Sequence, residues 1–162
     1  MGKEHIPTTQ AIRVLREHAV AFETHVYDYV EKGGASASSS ALGVPAHAVV
    51  KTLVMEDDSR QPLIVLMHGD KQVSTRALAR AIGARSIQPC KPDVADKHSG
   101  YQVGGTSPFG TKRAMPVYLE RSVLALERVW INGGRRGLLV SLAPSEIVRV
   151  LAPTLVDVAI DA

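Results

Sequence analysis

Apolar residues recur along this chain with two different periods. Ile12, Leu15 and Ala19 fall at helical spacing behind Thr8-Thr9-Gln10, which predicts an amphipathic helix over residues 11–18 with a threonine cap. Residues 22–30 alternate instead: Phe22, Thr24 and Val26 face one way, and Glu23, His25, Tyr27 and Tyr29 the other. That pattern predicts a strand whose second face is polar and aromatic. Glu31-Lys32-Gly33-Gly34 breaks it, residues 35–42 read as a small helix stopped by Gly43, and Pro45 opens another turn. Apolar runs at 49–55 and 62–67, separated by an acidic turn at 56–59, predict an antiparallel pair of strands. Ser74 caps a helix over Thr75–Ile82, with Gly83 as its stop. There follow a short strand at 86–88, a polar helix at 92–98 and a glycine-rich loop at 100–110. Strands at 117–119, 129–132 and 138–142, a helix at Pro144–Leu151 and a closing apolar segment at 155–158 complete the pattern. No internal repeat is visible. Strands outnumber crossover helices, so the expectation is one α/β (α+β) domain over residues 1–162, a mixed and largely antiparallel sheet with peripheral helices.

Composition narrows this picture. With 45% hydrophobic and 22% charged residues the chain is neither disordered nor fibrous. Only 4% of residues are aromatic, so the core has to be aliphatic. No apolar run approaches the roughly 20 residues of a membrane helix, and Met1 to Pro7 lacks the apolar stretch of a secretory signal. A single cysteine, Cys90, excludes an internal disulfide and a thiolate metal site. A reducing, cytoplasmic setting is the expectation. Net charge is +3, but residues 71–136 carry twelve Lys/Arg against four acids, and the remainder seven against twelve. A basic segment of that kind suits a polyanion such as RNA, or is a solvated surface.

Three segments could carry chemistry. Lys51 shares a strand face with Val49, Leu53 and Met55, and a lysine in an apolar run is either an anion-binding group or one that snorkels from a strand end. In the loop at 100–110, the adjacent Gly104 and Gly105 let backbone N–H groups approach a phosphate or an oxyanion, unless the loop is a plain connector. That loop is neither a Walker A motif, because Thr111-Lys112 reverses the required order, nor a nucleophile elbow around Ser107. Asn132-Gly133-Gly134-Arg135-Arg136-Gly137 reads equally as a tight hairpin or as a second wall of a phosphate-facing cleft. The six histidines, His5, His18, His25, His47, His68 and His98, show no metal-ligand spacing, and Cys90 has no sequence neighbour that would make it a nucleophile beyond Lys91.

Taken in order, several motifs resemble the YbaK/EbsC family of aminoacyl-tRNA deacylases, free-standing relatives of the prolyl-tRNA synthetase editing domain. They are His25-x-Tyr27, Val50-Lys51-Thr52-Leu53, Arg76-Ala77-Leu78-Ala79 with Ile82-Gly83-Ala84, the 100–110 loop from Gly100-Tyr101 through Gly104-Gly105-x-Ser107-Pro108 to Gly110, and Gly133-Gly134-x-Arg136-Gly137-Leu138. The resemblance spans residues 8 to about 157. It implies a curved or barrel-like mixed sheet surrounded by helices, and hydrolysis of the ester of mischarged tRNA(Pro), Cys-tRNA(Pro) first and Ala-tRNA(Pro) as an alternative. A non-catalytic module that binds tRNA or a synthetase is the reading from another class. The resemblance also implies Lys51, Gly104 and Gly105 as catalytic groups, with Tyr27, Tyr29, His25, Ser107, Asn132, Gly133, Gly134 and Arg136 around the substrate. No metal, cofactor, DNA or membrane is implied, and prolyl-tRNA synthetase is an implied partner. Two positions depart from the YbaK branch, which commonly has serine at Asn132 and aspartate at Leu139. Asparagine still offers a donor and an acceptor; leucine cannot replace a carboxylate.

Overall fold

In the computed structural model, which describes Ile6 and residues 8–162, the helices begin and end where side-chain chemistry dictates. The residues on which the expectation about a secretory leader rests, Met1–His5 and Pro7, lie outside it, as does His5 as a ligand candidate. Helix α1 (Gln10–Glu17) is capped by the Thr9 hydroxyl, which accepts from the Ile12 N–H, and it buries Ala11, Ile12 and Leu15. Helix α2 (Gly34–Leu42) ends on Gly43 in the left-handed conformation. Helix α3 (Thr75–Ile82) is capped by Ser74, and α4 (Pro92–Ser99) and α5 (Pro144–Leu151) each open with proline.

The strands are β1 (Glu23–Val26), β2 (Val49–Asp57), β3 (Pro62–His68), β4 (Lys71–Val73), β5 (Ile87–Pro89), β6 (Val117–Glu120), β7 (Val129–Arg135), β8 (Leu138–Leu142), β9 (Thr154–Val156) and β10 (Ala159–Asp161). The main sheet runs β1-β8-β7-β2-β3-β6-β9, with β5 paired to the far end of β2, and β10 and β4 form a separate ribbon. Parallel pairings, β2 with β7, β3 with β6 and β6 with β9, alternate with antiparallel ones, so the sheet is mixed as expected. Alternation of side chains gives it two apolar faces. Val50, Val54, Ile64, Leu66, Ile131 and Val140 join α1, α5 and the buried Phe109 in one core. Met55, Val65 and Met67 join Leu78 and Ala79 of α3 in the other.

Three differences from the sequence expectation have local causes. The first strand stops at Val26 rather than reaching residue 30, because its partner β8 begins at Leu138, and Val26 itself is exposed. The segment expected at 155–158 forms a strand at Thr154–Val156 instead, and the chain closes on β10. The β4–β10 ribbon goes unseen in the sequence because each strand has only three residues and pairs across most of the chain. No helix among the described residues is long and apolar enough to cross a membrane.

Candidate active site

The register of four strands lays a row of side chains across one face of the sheet. His25 on β1 stands opposite Leu139 on β8, and Leu139 stands opposite Asn132 on β7. Strands β2 and β7 pair Val49 with Trp130 and Val50 with Ile131; carried one residue on, that register brings Lys51 beside Asn132. Because side chains alternate, His25, Leu139, Asn132 and Lys51 share the face opposite Val50, Ile131 and Val140 of the first core. Glu23, Ser141, Trp130 and Val49 form a second row beside it.

Lys51 is half-buried, and its ammonium donates to the Lys71 carbonyl on β4. Burial pulls its pKa below the usual lysine value, and the Asp70 carboxylate opposes that shift. At the other end of the row, His25 Nε2 lies 2.7 Å from the Ser141 hydroxyl, and burial lowers the imidazole pKa despite the opposing charge of Glu23.

Asn132 uses both ends of its amide within the protein. Its Nδ2 donates to the Gly104 carbonyl at 3.1 Å, while its Oδ1 accepts from the Gly134 and Arg135 N–H groups at 2.7 and 3.2 Å. It closes the irregularity in β7 that falls between Asn132 and Arg135, and pins the glycine loop to the strand beside Lys51. The sequence places Asn132, Gly133 and Gly134 around substrate. In the structure the Asn132 amide and the Gly134 N–H are engaged internally while both residues stay half-buried, and Gly133 is buried with its carbonyl accepting from the Thr9 hydroxyl.

The first glycine pair does meet the turn that follows the second. A Cβ on the buried Gly105 would stand 2.6 Å from the Arg136 nitrogen and 2.8 Å from the Arg135 carbonyl carbon, so only glycine permits this backbone-to-backbone approach. Its N–H donates to the Gln102 carbonyl at 2.7 Å and so is not available to an oxyanion, contrary to the expectation from sequence. Gly104 is exposed at φ +90°, and among the described residues its N–H donates to no protein group. The Tyr29 ring lies against it. The Arg136 guanidinium sits 5.0 Å above that ring and donates through Nε to the Val103 carbonyl at 2.8 Å. Tyr27 extends the strand by one bond, its N–H donating to the Gly137 carbonyl, and burial raises its phenol pKa.

Ser107 is corrected too. It is fully buried, and its hydroxyl accepts from the Phe109 N–H at 3.1 Å, so it braces the loop and offers substrate no surface. The Tyr101 hydroxyl ties the same loop to the Phe109 carbonyl, with burial pushing its phenol pKa up to about 12. Burial, aided by Glu56, also raises the Cys90 thiol, which keeps it protonated.

Among the described residues, His47, His68 and Asp70 bring possible ligand atoms within 4.8 Å of one another. The two imidazoles stack at 3.8 Å with planes 8° apart, so their in-plane lone pairs run parallel and do not converge on one ion. Both ring nitrogens of His68 are also engaged, by the His47 carbonyl and the Ser122 hydroxyl. Two surface depressions, of about 480 and 360 Å³, lie away from the row, along α3 and β5 and beside the turn at 57–61. The sequence reading missed Ser141 and Asp70. Ser141 was legible as the polar position alternating within β8, whereas the approach of Asp70 to Lys51 follows only from the fold.

Comparison with known proteins bears on what such a site is for. Residues 31–150 match the aminoacyl-tRNA editing domain. EbsC of Enterococcus faecalis (strain ATCC 700802 / V583), whose name carries a provisional assignment as a Cys-tRNA(Pro)/Cys-tRNA(Cys) deacylase, is 26% identical over 141 residues, 86% of each chain. The proline–tRNA ligase of Nitratidesulfovibrio vulgaris (strain DP4) is 30% identical over 98 residues, which is 60% of this chain and 17% of the ligase. Among solved structures, hypothetical protein APE2540 matches with a TM-score of 0.86 at 20% identity, covering 94% of this chain and all 100% of its own. A provisionally assigned trans-editing enzyme for prolyl tRNA synthetase matches at 0.81 and 21%, covering 96% of this chain and 99% of its own. At that identity the likeness is one of fold. The chain belongs to the aminoacyl-tRNA editing domain family. Within that family its motifs resemble those of the YbaK/EbsC members.

Proposed function

We propose that this chain acts in trans as a deacylase of mischarged tRNA(Pro), that Cys-tRNA(Pro) is its first substrate, and that the ester lies over the row containing Lys51. One observation carries the reading: Lys51, half-buried, is in register with Asn132 on the neighbouring strand, and Asn132 pins the exposed Gly104 to that strand.

An aminoacyl ester is already activated, so the protein need only position it and stabilise the charge that develops on its carbonyl oxygen. Among the described residues the Cys90 thiol is held protonated, and Ser107 and Ser141, the latter hydrogen-bonded to His25, are fully buried, so no side chain is proposed as the nucleophile. The attacking group is therefore water or the substrate's own thiol. Water adds to the carbonyl carbon, the tetrahedral oxyanion collapses, and the bond to the ribose oxygen breaks. That oxygen takes a proton, and the amino acid and tRNA leave. With the thiol, sulfur closes on the same carbon, giving a thiolactone and the same free ribose hydroxyl. The Lys51 ammonium and the Gly104 N–H are the groups placed to meet the oxyanion. Gly105 contributes the close packing that presents them.

Leu139 supports a second reading. It is buried in the row between Asn132 and His25, where it offers an apolar contact and no polar anchor for a side-chain thiol. Alanine needs no such anchor, so Ala-tRNA(Pro) is the alternative substrate. Prolyl-tRNA synthetase is the proposed protein partner. The test is to incubate the protein with tRNA(Pro) charged separately with cysteine, alanine and serine and to follow ester loss. Cysteine-selective loss supports the first reading and alanine-selective loss the second. No loss, with retained salt-dependent tRNA binding, identifies a non-catalytic module.

A further inference from the structure

The motif over Arg76–Ala84 has no part in the row, yet it lines the depression of about 480 Å³ between α3 and β5. Thr75, Arg76, Arg80, Arg85 and Ser86 supply its polar wall, and no carboxylate lines it. All three arginines are exposed, and none makes an ion pair among the described residues. Elsewhere on the surface the guanidinium groups of Arg121, Arg128 and Arg149 do find carboxylates. Other exposed guanidinium groups, Arg13 and Arg16 among them, are likewise unpaired among the described residues, and what sets this face apart is that three of them line one groove. The neighbouring depression shares Arg85 but is lined by Asp57 and Asp58, and the Arg85 N–H donates to Asp58. Those carboxylates repel a polyanion at that end and leave the Arg76 end open.

The helix makes this a rigid platform. Arg76 and Arg80 are one turn apart, about 6 Å along the axis, while Leu78 and Ala79 between them are buried against the second core. That core lies on the same sheet face as Lys51. The Ser74 cap of α3 follows directly on β4, whose Lys71 carbonyl receives the Lys51 ammonium. The Arg76 end of the groove is thus the end nearer in the chain to β4 and to the carbonyl that Lys51 contacts. None of the exposed large apolar side chains, Val26, Val30, Val103, Val148 and Ile160, lines it, so its chemistry is that of an anion track.

We propose that this groove docks the phosphate backbone of the tRNA acceptor stem, with Arg76 and Arg80 on neighbouring phosphates. The proposal rests on the editing reading above and adds to it the surface that holds the nucleic acid. Guanidinium forks suit phosphate oxygens, and contacts of this kind fix position without reading sequence.

The experiment compares two double variants that remove the same charge. R76Q/R80Q alters the groove, and R13Q/R16Q alters exposed positions on α1, on the opposite face of the sheet. Binding of uncharged tRNA(Pro) transcript, an acceptor-stem minihelix and a CCA trinucleotide is measured against salt. The expected result is a roughly tenfold rise in Kd for tRNA and minihelix in R76Q/R80Q, with the slope of log K against log salt flatter by about 1.5 to 2. R13Q/R16Q stays within about twofold of the wild type on the same charge argument, and trinucleotide binding is unchanged in both. Equal weakening by both variants, or none in R76Q/R80Q, overturns the dock. Because the readout is binding, its failure is separate from failure of deacylation, which appears instead as a wild-type protein that leaves every ester intact.

Discussion

At the scale of single residues, Lys51 is the most exposed to test. Burial lowers its pKa, so the ammonium is lost at lower pH than in a free lysine. If the charged form serves the reaction, the protein-dependent rate, after subtraction of spontaneous hydrolysis, falls as pH rises through that lowered value, below the ordinary 10.5. Lys51→Arg keeps its charge throughout and removes the falling limb from whatever activity it retains. Asn132 is a positioning residue with a different signature. Asn132→Ala leaves the Gly134 and Arg135 N–H groups without an acceptor, at a cost of about 1–3 kcal/mol. Faster amide exchange at those two positions, together with reduced stability to urea, checks this. Lys51 was legible in sequence because a cation inside an apolar run stands out. The part played by Asn132 was not, because its bonds reach a loop 28 residues away in the chain. The burial of Ser107 was not legible either, because it follows from how the loop packs and not from its sequence neighbours.

At the scale of elements, the packing of the 100–110 loop against the turn between β7 and β8 decides whether the row has a wall. Gly105→Ala brings a methyl group onto main-chain atoms of Arg135 and Arg136, which cannot move aside as a flexible side chain would. The expected cost is about 1–3 kcal/mol, with loss of activity larger than the loss of stability explains. Equilibrium unfolding and single-turnover deacylation on the same preparation check it. Both glycine pairs were visible in the sequence as turn signals. The contact of the first with the turn after the second was not, since spacing along a chain does not say which turns meet. Helices were the easiest elements to place, because Thr9, Ser74, Gly43 and Gly83 announce their ends. The β4–β10 ribbon was the hardest, although its Lys71 carbonyl receives the Lys51 ammonium.

At the scale of the whole molecule, a buried carboxylate ties the C-terminal segment to the sheet. Glu120 accepts from the Val158 and Ala159 N–H groups at 2.7 and 3.0 Å and from the Ser122 hydroxyl at 2.7 Å. Burial opposes its ionisation, but these bonds outweigh it and hold its pKa below the usual 4.5. The carboxylate therefore contributes stability at neutral pH that is lost as pH falls below about 4.5 and through the lowered value. Glu120→Gln is expected to be less stable than the wild type by about 1–3 kcal/mol at pH 7, with the gap closing in acid. Urea unfolding at pH 7 and at pH 3.5 measures it. The mixed sheet with its two aliphatic cores followed from alternation and composition. The order of its strands followed from neither, because the parallel pairings join segments far apart in sequence.

All of this converges on one juxtaposition, Lys51 in register across neighbouring strands with the Asn132 that holds the glycine-rich loop. The direct measurement is single-turnover hydrolysis of Cys-tRNA(Pro) by the wild type and by Lys51→Ala, with folding of both confirmed by urea unfolding. The account predicts ester loss with the wild type and a rate lower by about 10²–10³ in the variant. A folded Lys51→Ala protein that cleaves the ester at the wild-type rate would contradict it.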